Sequence, residues 1–100
     1  MKIKWSKDAL EDWSEIEFYI LKYFTYAEFN NFVDMFERII DNITTQTVVY
    51  KKYKNSEFNI ANISKQTSLI YFKNDTELMI LRLINHFQDD DKKDIKRKRD

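Results

Sequence analysis

The apolar residues of this chain change their spacing once, and that change limits the folds open to it. From Ala9 to Ile43 they recur every three or four residues; from Glu57 onward they alternate or run together. The first spacing belongs to helices and the second to strands, so the chain reads as helices followed by a sheet. Residues 7–24 place Ala9, Trp13, Ile16, Ile20 and Tyr23 on one stripe, with Glu11, Asp12 and Glu15 off it. That arrangement predicts an amphipathic helix. Thr25-Tyr26-Ala27-Glu28 then has the form of a capping box, in which a Thr hydroxyl and a Glu carboxylate satisfy free N–H groups at a helix start. A second helix is expected there, with the stripe Phe29, Phe32, Val33, Phe36, Ile39, Ile40 and Ile43. The two helices form a hairpin with a very short turn.

At the start, Ile3 and Trp5 alternate with Lys2 and Lys4 as in a short strand, and Ser6 suits a helix N-cap with Asp8 in the first turn. Residues 44–56 read as a loop with at most a short extended piece. Strands are expected over 57–63, with Phe58 and Ile60 on one face, over 67–73, and over 77–84. The joins, Ser64-Lys65-Gln66 and Lys73-Asn74-Asp75-Thr76, have hairpin lengths. The last strand is apolar on both faces apart from Arg82 and belongs in the middle of a sheet. The expected class is α+β: strand, helix, helix, three antiparallel strands, with the opening strand in the same sheet and the helical hairpin over one face. Residues 1–88 form the domain. Residues 89–100 hold one apolar residue, Ile95, and are expected to be a charged, disordered tail.

A chain of 100 residues makes one domain that buries only about 60–70% of its unfolded surface. Eight Phe, six Tyr and two Trp compensate with bulk, and Trp5 and Trp13 are expected in or beside the core. There is no Cys, which excludes disulfides and thiolate metal sites. There is also no Gly and no Pro, so phosphate-cradling glycine loops and nucleophile elbows are absent and turns fall to Asn, Asp and Ser. No apolar run suggests a signal peptide or a membrane span, and the expected location is the cytoplasm, without membrane contact. The net charge of zero is unevenly laid: residues 7–43 carry nine acids against three bases, residues 44–65 four bases against one acid, and residues 92–99 six bases against one acid. Such a distribution points to polyanion or partner binding.

Five stretches, in order, resemble the RelE/ParE superfamily of toxins from type II toxin–antitoxin systems, in particular members from the Bacteroidetes. Ile3-Lys4-Trp5-Ser6-Lys7-Asp8-Ala9 is similar to the family's strand-into-helix entry. Asp12, Ile16 and Tyr19-Ile20 resemble its first helix, and Ala27 and Phe32 its second. Lys65-Gln66-Thr67-Ser68-Leu69-Ile70-Tyr71 resembles its third-strand segment, and Asn85-His86-Phe87-Gln88-Asp89 stands where relatives carry their C-terminal motif. The resemblance spans about residues 2–93. It implies a growth-inhibiting toxin, often a plasmid-stabilising one, neutralised by a cognate antitoxin and needing no cofactor or metal.

Two activities occur in that superfamily: ribosome-dependent cutting of mRNA, and inhibition of DNA gyrase without hydrolysis. Cutting RNA through its 2′-hydroxyl needs a proton acceptor, a proton donor and cations for the phosphorane charge. The family supplies these mainly with Lys and Arg on the second and third strands and near the end of the fourth. The matching positions here are Asn59, Ala61 and Ser68, and Phe87 replaces the terminal Arg. The resemblance therefore favours the gyrase-directed kind. The alternative is a ribonuclease with a rearranged site, with His86, Lys52 and Arg82 as catalytic candidates and Lys51, Lys52, Lys54 and Lys65 as RNA-binding ones. Lys51-Lys52-Tyr53-Lys54 interleaves bases with an aromatic as RNA contact requires. The plainer readings are a solvated His86, an Arg82 paired with helix acids, and lysines that protect a strand edge. A third possibility is a degenerate member that only binds its antitoxin. Glu11, Asp12 and Glu15, read as lying on a helix's outer face, lack the histidine a metal site would want. Phe18, Tyr26 and Tyr53 are candidates for antitoxin contact.

Overall fold

A computed structural model of the chain describes residues 1–46 and 48–86. Six elements follow one another: β1 (Lys2–Trp5), α1 (Lys7–Tyr23), α2 (Tyr26–Thr44), β2 (Asn59–Asn62), β3 (Thr67–Lys73) and β4 (Glu77–Asn85). The strands form one sheet in the order β1-β4-β3-β2. β2, β3 and β4 are antiparallel neighbours, and β1 lies parallel to β4 with Lys2 opposite Glu77 and Trp5 opposite Ile80. A parallel pair needs a long crossover, and the helical hairpin is part of it. The expected α+β class and the central place of the last strand both hold. The tail over residues 89–100 and the Phe87 position lie outside the described residues.

The helix starts follow their caps. Ser6 Oγ accepts from the Ala9 N–H at 3.0 Å and donates to the Leu81 carbonyl at 2.7 Å, so one hydroxyl starts α1 and ties it to β4. Thr25 Oγ1 accepts from the Glu28 N–H at 3.1 Å, the Thr half of the expected capping box. Only Phe24 and Thr25 separate the helices. α2 has no basic residue in its last turn; Lys73 from β3 donates to the Ile43 carbonyl at 2.9 Å instead, placing a cation on the negative helix end.

Without glycine, the turns use side-chain carbonyls and hydroxyls. Asn74 Oδ1 accepts from the Thr76 and Glu77 N–H groups between β3 and β4, and Ser64 Oγ from the Gln66 N–H between β2 and β3. Gln46 (φ 59°) and Lys54 (φ 52°) sit in the left-handed region, where glycine is the ordinary occupant.

The core lies between the helices and one face of the sheet. Ala9, Ile16 and Ile20 from α1 and Phe32, Phe36 and Ile43 from α2 meet Ala61, Leu69, Tyr71, Leu78, Ile80 and Leu83. Trp5 and Trp13 stand at its edge with ring centres 5.6 Å apart at 90°, and both touch Phe36. A register shift in the β3–β4 ladder explains why β4 reads as apolar on both faces. Tyr71 pairs with Ile80 and Ile70 with Arg82, so Leu81 is an extra residue, and Leu83 returns to the core side three positions after Ile80. Tyr23, expected on the core stripe, is exposed; Tyr19 is buried in its place. Among the described residues, no helix is long and apolar enough to cross a membrane.

Candidate functional site

The sheet face turned away from the helices carries polar and apolar halves. Its polar half lies where β2 ends and β3 begins. Ser68 Oγ donates to Asn62 Oδ1 at 2.9 Å and lies 3.4 Å from His86 Nε2. A serine has one proton, and here it goes to the Asn62 carbonyl. The His86 Nε2 lies against that same hydroxyl oxygen, which sets the direction of the ring. Ser68 is buried at 5% exposure, while His86 is exposed. The His86 N–H also donates to the Gln66 carbonyl, which brings the β2–β3 turn and its exposed Lys65 to the same end of the sheet.

The apolar half is a groove of about 340 Å³ lined by Phe58, Phe72, Met79 and Leu81. Its rim is the Lys4–Glu77 ion pair at 2.6 Å. That hydrogen bond, and then the lysine's charge, holds the Glu77 carboxyl below its ordinary range.

The candidate catalytic residues do not converge. Arg82 is tied to α1: its Nε donates to Asp12 Oδ2 at 2.7 Å and its Nη2 to Oδ1 at 3.1 Å. These bonds, and then the charge of Asp12, hold the guanidinium protonated above its ordinary range. This is the helix-acid pairing weighed in the sequence. Lys52 lies along the far edge of β2, paired opposite Asn59, with Nζ 3.2 Å from the Glu57 carbonyl. Two strands separate it from β4, roughly 14 Å across the sheet at 4.7–4.9 Å per strand.

The lysine segment itself covers an edge. The Ile60 N–H donates to the Lys51 carbonyl, the Tyr53 N–H to the Phe58 carbonyl, and Asn59 Nδ2 to the Tyr50 carbonyl. Lys51, Lys52 and Lys54 are exposed along this border, with Lys54 Nζ 5.2 Å from the Tyr53 ring centre. Lys65 is not among them but belongs to the His86 end. Tyr53 is half-buried, whereas Phe18 and Tyr26 are open at 67% and 69% exposure.

Two positions differ from the sequence reading. Ala61 is in the core under the helices at 2% exposure, so no residue there reaches the outer face; Asn62 stands on that face instead. Asp12 is buried rather than outward, and besides holding Arg82 it accepts from the Leu83 N–H at 2.9 Å. β1 pairs only as far as Ile80, so the carboxylate takes over the open edge of β4. Its spacing from Ala9 and Ile16, three and four residues, marked it as inward-facing.

No family model and no curated protein sequence matches the chain. Solved structures do. The chromosomal ParDE toxin–antitoxin system from P. aeruginosa matches over 85% of this chain and 95% of that one, at 14% identity and a TM-score of 0.68. The YoeB–YefM complex from Staphylococcus aureus matches over 86% and 97%, at 17% identity and a TM-score of 0.63. A copper-bound mutant toxin from Helicobacter pylori matches over 88% and 97%, at 21% identity and a TM-score of 0.62.

Proposed function

Because the chain has the fold of the RelE/ParE superfamily toxins, we propose that it is the toxin of a type II toxin–antitoxin pair, held inactive by a cognate antitoxin in the cytoplasm. Its subtype in this reading is the ParE-like one, which stops DNA gyrase by binding and not by hydrolysis. The observation that carries the subtype is the dispersal of the cations. Arg82 is committed to Asp12, Lys52 lies along the far edge of β2, and Ala61 faces the core. A phosphorane needs positive charge gathered around one point, and these residues are spread around the sheet. Similar folds in complex with ParD, YefM and DinJ support an antitoxin partner.

One observation favours a second reading, a ribosome-dependent endoribonuclease. His86 lies against Ser68, which is itself bonded to Asn62, and Lys65 stands at the same end of the sheet. In that case His86 would exchange a proton with the RNA and Lys65 would offset phosphate charge.

Induction of the gene in growing cells separates the two. The ParE-like reading expects a DNA-damage response and filamentation, with messages intact, and a His86→Ala/Lys52→Ala double variant that stays fully toxic. Rapid arrest of translation with cleaved messages, lost in the double variant, would establish the ribonuclease. Unimpaired growth would leave only antitoxin binding.

A further inference from the structure

α1 has two apolar stripes, and the fold uses one. Ala9, Ile16 and Ile20 enter the core. On the opposite side, Leu10, Phe18 and Leu21 are 54%, 67% and 40% exposed, and Phe24 just beyond the helix is 46% exposed. A surface helix ordinarily turns charge to solvent on that side, so a group of exposed apolar side chains there marks a contact face. Ser14, Glu17, Phe18 and Leu21 stand at i, i+3, i+4 and i+7, the four corners of a hole that receives one side chain from a facing helix. With Lys22 they line a surface hollow of about 530 Å³. The small Ser14 is what leaves the hollow open.

We propose that this face binds a second copy of the chain, α1 against α1, antiparallel about a two-fold axis beside residues 17 and 18. The arrangement is self-complementary in shape. At that axis Leu21 of each copy reaches the level of Ser14 in the other and enters its hollow, while the two Phe18 rings meet near the axis. Leu10 comes level with the Phe24–Thr25 end of the second copy. It is also complementary in charge. In antiparallel helices related by a two-fold, each flank faces the same flank of its mate. Lys22 shares its flank with Glu11 and Glu15, so each Lys22 faces two acids of the second copy. Lys22 already lies against the rings of Phe18 and Tyr23, at 5.6 and 5.4 Å from their centres, which keeps the ammonium at the border of the stripe. Glu17 is the one unfavourable element, since the two copies meet near the axis. Contact along one short helix falls at the small end of interface sizes, below about 1,200 Å², so the association is reversible.

Sedimentation of the isolated chain from low to high micromolar concentration tests this. A concentration-dependent dimer is expected. Phe18→Glu should raise its dissociation constant at least tenfold without moving the melting temperature. Lys22→Glu should weaken it, and adding Glu15→Lys to that variant should restore it. The chain has no cysteine, so Glu17→Cys should form a disulfide-linked dimer on mild oxidation, while Glu37→Cys on α2 should not. A chain that stays monomeric, a dimer indifferent to Phe18→Glu, or equal cross-linking at both cysteine positions overturns the proposal. So does a monomer whose Phe18→Glu variant escapes its antitoxin, which would give the face to that partner.

Discussion

At the scale of single residues, Asp12 and Gln46 have opposite relations to their surroundings. Asp12 gives one buried carboxylate three donors, from the Arg82 side chain and the Leu83 backbone. Removing the acid orphans a buried N–H, which costs about 1–3 kcal/mol, besides breaking the pair. Asp12→Ala should therefore lower stability by roughly 2–4 kcal/mol, read by urea denaturation. Arg82→Leu should cost less than about 1 kcal/mol, because its half-exposed guanidinium is well solvated and the Leu83 N–H keeps its acceptor. Equal effects would mean that the ion pair, and not the edge N–H, is what matters. Gln46 holds a left-handed conformation after α2, donating its N–H to the Ile43 carbonyl. Such a position follows many helices and is usually glycine. Gln46→Gly should stabilise the protein by about 0.5–1 kcal/mol, with a rise in melting temperature of a few degrees; a lower melting temperature would show that the strain is absent.

At the scale of elements, β1 and β4 are joined by their ladder and by the Lys4–Glu77 pair. The Glu77 carboxyl has a depressed pKa in the folded chain, so the pair's contribution is present above the ordinary glutamate value of about 4.3. It is lost as pH falls through the depressed one. Glu77→Gln should melt slightly below the wild-type protein at pH 7 and level with it at pH 2. The elements differ in how legible they were. Both helices had an apolar stripe and each strand an alternation or an apolar run, and Ser6 and Thr25 announced both helix starts. The Leu81 bulge was hidden because an extra residue in a strand of apolar side chains leaves no break in the pattern. In β2, Asn62 and not Ala61 looks outward, which a four-residue strand of mixed side chains does not reveal. The site was less legible than the fold. The Asn62–Ser68–His86 series joins β2, β3 and the residue after β4, and the burial of Arg82's charge partner depends on where β1 stops.

At the scale of the whole molecule, the apolar surface is asymmetric: one sheet face is covered by the hairpin and the outer face stays open around Phe58, Phe72, Met79 and Leu81. β1 is only four residues long, yet it closes the adjoining edge of β4 as far as Ile80, where Ser6 and Asp12 take over. Deleting residues 1–5 should leave the apolar β4 edge unpaired and ready to recruit other chains. The expected outcome is aggregation at concentrations where the intact protein remains in solution, measured by light scattering. An unaggregated, folded deletion variant would show that the Asp12 and Ser6 contacts suffice to guard that edge.

The strand in the middle of the sheet is also the last of the described elements. β1, made first, has no neighbour until β4 has been synthesised, and Ser6 and Asp12 reach their acceptor and donor there from 75 and 71 positions away. A nascent chain leaving the ribosome can build its hairpin of helices early, but the sheet has no centre until β4 has emerged. A prematurely terminated product therefore lacks the part on which the rest assembles, and a half-made copy would be a substrate for proteases before it could fold.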